Sequence, residues 1–157
     1  MNGISPLENT TVVVTGATGF IGSHLVDYLV EYGCTVHALV RETSDRKWLN
    51  KSAQVKVHIV DLLQTSPIDC LQEADYLFHC AGLTKAKTRD DYFCGNVYPC
   101  EILYERCVAI GTNLKAIIHL SSLAAAGPSV QGEPAQEKNS CKPVTYYGES
   151  KLAGEKI

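Results

Sequence analysis

The chain has 157 residues, 45% apolar and 20% charged, with Lys+Arg 14 against Asp+Glu 17 and a formal net charge of -3. That length and mix exclude a disordered or fibrous polypeptide, and the slight acidic excess argues against nucleic acid or an anionic membrane as partner. No apolar run reaches the roughly 18 residues of a bilayer span, and the first residues lack the pattern of a secretory signal, so a cytoplasmic protein is expected.

In chain order, Thr11–Thr15 is a continuous β run, as in a strand buried on both faces. Ile21, Leu25, Val26, Leu29 and Val30 then recur at helical spacing from Phe20 to about Tyr32, and Gly33 closes that helix. Thr35–Val40 reads as a second strand, residues 43–51 as a polar helix, and Val55–Val60 as a third strand ending at Asp61. A short helix over 67–73, a strand over 75–79 and a helix from about Asp90 to Ile110 follow, the last with a kink expected near Pro99. Lys115–Leu120 is a fifth strand, Ser121–Pro143 a loop rich in Gly, Pro and Ser, and a last helix starts near Val144. Strands alternating with helices call for an α/β fold, a doubly wound parallel sheet with right-handed crossovers and helices on both faces. Such sheets have about six strands and five are visible. The expectation is therefore one cofactor-binding domain over 1–157, truncated at its C-terminus, with a substrate-binding part absent.

The seven cysteines are odd in number and irregular in spacing, no CxxC or HExxH occurs, and the five histidines are scattered one per segment. Neither a disulfide framework nor a metal site is expected, and Cys34, Cys80 and Cys107 read as small buried hydrophobes in a reducing compartment.

Between the first strand and helix lies Thr15-Gly16-Ala17-Thr18-Gly19-Phe20-Ile21-Gly22, with glycines at i, i+3 and i+6. Gly16 suits a tight turn, Gly19 lets backbone approach a pyrophosphate, and Gly22 lets the helix lie against the strand. The first N–H groups of the helix, near Phe20 and Ile21, would face the phosphates, and Thr18 belongs to the same turn. TGATGFIG resembles the cofactor motif of the extended short-chain dehydrogenase/reductase family of epimerases, dehydratases and reductases. The similarity continues through Asp61-Leu62, His79-Cys80-Ala81-Gly82, Asn96-Val97, Ser121-Ser122 and Tyr147-Gly148-Glu149-Ser150-Lys151.

Tyr147 and Lys151, four residues apart, share one face of the last helix. A phenol with a pKa near 10 is a poor base at neutral pH, and a lysine ammonium within about 4–6 Å favours the phenolate. Ser122 follows the fifth strand at the edge where open α/β sheets bind ligands, and Ser121 competes with it. The resemblance implies a Rossmann fold that binds NAD(P), with hydride transfer to or from a carbonyl or alcohol of a small-molecule substrate. Tyr147 would move the proton, Lys151 would tune it and hold the ribose, and Ser122 is chosen by its step to Gly127. The resemblance also places Asp61, followed by Leu62, at the adenine, Ala81 and Gly82 along the ribose-nicotinamide path, and Asn96 beside a proton-relaying water. Subunits of the family often pair through the helices carrying Asn96 and Tyr147, which leaves a homodimer open.

The second strand ends in Arg41, suited to a 2′-phosphate, with Arg46 near it in sequence and Glu42 offering the carboxylate that NAD prefers. NADP is favoured over NAD by a narrow margin. Leu123-Ala124 stand where nucleotide-sugar dehydratases of the family carry Asp-Glu, which favours reductase or epimerase chemistry. The alternative is a dinucleotide-binding module without catalysis, and a flavodoxin-like phosphate binder would leave Tyr147 and Lys151 unexplained.

Overall fold

In the computed structural model the β-branched run Thr11–Thr15 forms strand β1, buried from Val12 onward. Helix α1 (Phe20–Glu31) and strand β2 (Thr35–Val40) follow at the boundaries read from the sequence. Gly33, at φ +79, closes α1 as the N–H of Cys34 reaches the carbonyl of Leu29 at 3.0 Å. The structure describes residues 7–64, 66–111, 113–129 and 133–157. The chain divides into two units, Met1–Ala81 with Arg106–Leu120 and Gly82–Glu105 with Ser121–Ile157.

The first unit holds a five-stranded parallel sheet completed by β3 (Val55–Ile59), β4 (Tyr76–His79) and β5 (Ala116–His119), in the order β3-β2-β1-β4-β5. Its core on one face joins Val12 and Val14 of β1, Val36 and Ala38 of β2, and Val26 and Leu29 of α1. Strands are added to one side of β1 up to β3 and to the other side from β4. The C-terminal ends of β1 and β4 therefore flank a topological switch point, the place where such sheets bind ligands. This is the expected Rossmann-like arrangement. Among the described residues no helix is long and apolar enough to cross a membrane.

In the second unit α2 (Arg89–Asn96), the opening of α3 (Tyr98–Ala109), α4 (Leu123–Ala126) and α5 (Tyr146–Glu155) carry the regular structure. Thr88 caps α2 in a capping box with Asp91, and Thr145 caps α5 by accepting from the N–H of Gly148 at 3.0 Å.

Several expected elements are corrected. The polar helix over 43–51 is absent. Ser44 Oγ, Asp45 Oδ1 and Asn50 Oδ1 accept from the N–H groups of Arg41, Lys47 and Ser52, satisfying the backbone in turns instead. The short helix at 67–73 shrinks to a 3-10 turn at Asp69–Leu71. The long helix is broken at Val97, two residues before Pro99, which has no N–H to offer the carbonyl of Gly95. The Gly/Pro/Ser loop contains α4, and the last helix begins at Tyr146 rather than Val144.

Asp75 ties the strand starts together. Its Oδ2 accepts from the N–H of Thr11 at 2.9 Å and its Oδ1 pairs with Lys115 Nζ at 2.9 Å. The hydrogen bond from Lys115, then that from Thr11, holds the carboxyl below the usual aspartate range. A depressed folded value means that its stabilisation is complete above the unfolded value of about 3.9 and fades as pH falls through the folded one. Asp75→Asn is thus expected to lower the urea midpoint at pH 7 by a margin that vanishes under strong acid. An equal gap at both pH values would refute this.

Candidate active site

The dinucleotide part of the site belongs to the first unit and starts at the end of β1. Gly16 takes φ +65, and a Cβ there would lie 2.7 Å from the backbone nitrogen of Ala81 and 2.8 Å from the carbonyl carbon of Cys80. The turn thus presses backbone to backbone against the end of β4. Thr15 secures the contact from inside: its Oγ1 accepts from the N–H of Ala81 at 3.1 Å and lies 2.8 Å from Nδ1 of the buried His79. A Cβ on Gly22 would lie 2.2 Å from the carbonyl oxygen of Gly16, so α1 can begin this close only with glycine there. Gly19 is the N-cap of α1 and offers no side chain to the first N–H groups, and no acidic residue stands in the first turn. Phe20 is 82% and Ile21 53% exposed, Thr18 is half-buried, and this end of α1 faces solvent. Backbone donors, the positive end of a helix dipole and a tight glycine turn that leaves Gly19 exposed together fit a diphosphate.

Of the other residues assigned to cofactor, Arg41 and Glu42 are both exposed at the end of β2. Asp61 is exposed and forms a turn, its Oδ1 accepting from the N–H of Leu63 at 3.0 Å and its Oδ2 from Gln64 Nε2 at 3.2 Å. Leu62 beside it is half-buried.

The second unit brings together the residues assigned to chemistry. Tyr147 stands in the first turn of α5, half-buried, its ring centroid 5.9 Å from that of Tyr92. Lys151, one turn on, is only 4% exposed. A Cβ on Gly82 would come within 3.2 Å of Asn96 Oδ1 and 3.8 Å of Lys151 Nζ, which places the ammonium beside that glycine. Burial pushes the Cys100 thiol up to about 11, against the pull of the Lys151 charge.

Asn96 is 1% exposed and held by three hydrogen bonds. Its Oδ1 accepts from the N–H of Leu83 at 2.6 Å, and its Nδ2 donates to the carbonyl of Leu83 at 3.0 Å and to Ser150 Oγ at 2.9 Å. Ser150 Oγ in turn donates to the carbonyl of Tyr147 at 2.8 Å. The amide thus fixes the 82–83 segment and the opening of α5 together, a positioning network that sequence reasoning missed because Ser150 lies 54 residues from Asn96. Arg89 adds a second tie between α2 and α5, its Nε 2.8 Å from Glu149 Oε2.

The structure also separates the two serines. Ser121 Oγ donates to the carboxylate of Glu155. Ser122 caps α4, its Oγ accepting from the N–H of Ala124 at 3.2 Å, which leaves its own proton to donate.

Gly148 is where α5 meets α4. A Cβ there would lie 2.2 Å from the carbonyl oxygen of Ala124 and 3.0 Å from Pro143 Cβ. In an open helix Gly→Ala gains about 1 kcal/mol, but here the contact decides the sign. Gly148→Ala is expected to destabilise by about 1–3 kcal/mol, read as a lowered thermal midpoint. An unchanged or raised midpoint would show that α5 does not seat on α4 as described.

The fold and the glycine cradle define a Rossmann-like, nucleotide-binding protein. The chain belongs to the NAD dependent epimerase/dehydratase family, which matches residues 12–157. It is 34% identical over 128 residues to a ceramide reductase of Caulobacter vibrioides, covering 81% of this chain and 39% of the reductase. Among solved structures it resembles a UDP-N-acetylglucosamine 4-epimerase of Methanobrevibacter ruminantium in complex with UDP-N-acetylmuramic acid, with a TM-score of 0.83 and 28% identity over 94% of this chain and 49% of that one. It also resembles a UDP-glucuronic acid 4-epimerase of Bacillus cereus in complex with NAD, with a TM-score of 0.80 and 27% identity over 93% and 50% of the two chains. The chain spans about half the length, or less, of the proteins it matches.

Proposed function

We propose that the chain is the cofactor-binding part of an NAD(P)-dependent oxidoreductase or epimerase of the extended short-chain dehydrogenase type. Its small-molecule substrate would interconvert between carbonyl and alcohol. The observation that carries this reading is the glycine cradle before the bare N-terminus of α1. Gly16, Thr18, Gly19, Phe20, Ile21 and Gly22 would hold the diphosphate, Asp61 and Leu62 the adenine end, and Ala81 and Gly82 the path toward the nicotinamide. The nicotinamide, when bound, supplies or takes up a hydride. Tyr147 gives or takes the proton at the substrate oxygen, and Lys151 holds the ribose. Ser122 donates its free hydroxyl proton to the same oxygen, while Asn96 acts through Ser150 to position the start of α5. Leu123 and Ala124 put no carboxylate after Ser122, which supports reduction or epimerisation over dehydration.

Arg41, exposed at the end of β2, supports NADP over NAD. Fluorescence titration is expected to give tighter binding of NADPH than of NADH, and Arg41→Ala is expected to erase the difference while leaving NADH affinity unchanged. Failure of both coenzymes to bind would overturn the cofactor reading. The second reading is a dinucleotide-binding module without catalysis, for which the glycine turn alone suffices. Tight coenzyme binding with no turnover of carbonyl, hydroxysteroid or sugar-nucleotide substrates would select it.

A further inference from the structure

His37 lies on β2 and His58 on β3, and the parallel register pairing His37 with Lys56 and Leu39 with His58 puts both histidines on the same face of the sheet edge. Their rings stack with centroids 4.9 Å apart and planes 10° apart, and Nδ1 of His37 is 2.9 Å from Nε2 of His58. Cys70, in the 3-10 turn that precedes β4, brings a buried thiol to the same spot. One ring nitrogen from each histidine and the Cys70 sulfur all lie within 4.8 Å of one another. The three come from separate segments with no motif spacing between them, which is why the sequence suggested no metal site.

Two features set this cluster apart from an ordinary histidine pair. His37 is 4% exposed, and its Nε2 meets no hydrogen-bond partner among the described residues. A buried polar atom left this way carries an uncompensated desolvation cost. Two imidazoles and a thiolate make a donor set for zinc rather than for magnesium or calcium. Bonds of about 2.0–2.3 Å in tetrahedral geometry need donor separations of about 3.3–3.6 Å, so a pair at the 4.8 Å limit has to close by about 1.2–1.5 Å.

We infer that His37, His58 and Cys70 form a zinc site at the sheet edge, with a fourth position open to water on the side where His58 is half-exposed. As the Zn–S bond forms, the thiol proton of Cys70 leaves to solvent, and no oxidant or reductant is needed. The bound ion ties β2, the edge strand β3 and the β3–β4 connection together.

Cobalt(II), which takes zinc sites and reports thiolate ligation by its absorption, tests this with the whole chain under reducing conditions. A single equivalent is expected to give a thiolate-to-cobalt charge-transfer band and visible bands of tetrahedral intensity, both displaced by Zn2+. Cys70→Ser is expected to lose the charge-transfer band. The half-exposed His58→Ala is expected to weaken binding by at least the roughly 10–100-fold that loss of an outer-shell partner causes. A Cys94→Ser/Cys141→Ser double variant, lacking the two exposed thiols, is expected to titrate like the parent. No band with the parent chain, a band that survives Cys70→Ser, unchanged affinity in His58→Ala, or a band lost with the exposed thiols would each overturn the assignment.

Discussion

Gly16→Ala is expected to lower the unfolding free energy by about 2–5 kcal/mol and to abolish NAD(P)H binding in whatever fraction folds. Two costs add. The backbone stands at φ +65, where a side chain is strained, and the new Cβ would sit 2.7–2.8 Å from three backbone atoms of Cys80 and Ala81. Backbone cannot swing aside as the tip of a long side chain can, so β1 and β4 must separate where the switch point lies. Against a typical domain stability of about 5–15 kcal/mol the loss is large. Gly19→Ala makes the contrast. Its φ of -77 suits any residue, and its Cβ would stand 3.3 Å from one carbonyl oxygen. That variant is expected to unfold near the parent's midpoint yet bind coenzyme weakly, because the methyl group sits where the phosphates approach. Urea unfolding beside NADPH titration checks both. A Gly16→Ala chain that is as stable as the parent and binds coenzyme would remove the cradle from the explanation.

The contrast between these glycines also shows how far the chain could be read from its residues. The β1-α1-β2 unit was legible because each boundary has a local cause: β-branched runs for the strands, a helical apolar stripe for α1, and Gly33 for its end. The helix expected at 43–51 failed for an equally local reason. Ser44, Asp45 and Asn50 supply side-chain acceptors that compete with a helical ladder, and a count of helix-compatible residues overlooks that competition. Thr88 and Thr145 were cap signals in plain view, and they move the helix starts to Arg89 and Tyr146. Helix α4 has a cap signal too, in Ser122, but its single turn of small residues reads as a loop until the backbone of α5 closes on it at Gly148.

The candidate site divides along the same line. The glycine turn and the Tyr147–Lys151 spacing are local patterns and were visible at once. What was not legible is that Ser121 engages Glu155, more than thirty residues away, while Ser122 caps the next helix. Asn96 shows both sides. Its place in the motif was legible, but the buried hydrogen bonds that tie it to Leu83 and, across more than fifty residues of sequence, to Ser150 were not.

Tyr147→Phe follows from that arrangement and is expected to lower turnover by about 10²–10⁴-fold, the range lost with a general acid–base group, while coenzyme affinity stays nearly unchanged. Losing one phenolic oxygen from a half-buried ring leaves the Tyr92 contact in place, and neither the Thr145 cap nor the hydrogen bond from Ser150 Oγ to the Tyr147 carbonyl involves the phenol. The fold is therefore expected to survive, so lost activity reports chemistry and not collapse. Ser150→Ala supplies the complementary case. It removes a partner of Asn96 and the anchor on the Tyr147 carbonyl without touching the phenol. A positioning role predicts a smaller fall in turnover than in Tyr147→Phe, with a pH profile of the same shape. Full activity in Tyr147→Phe would leave the proton transfer without an agent on α5 and would overturn the role given to Tyr147.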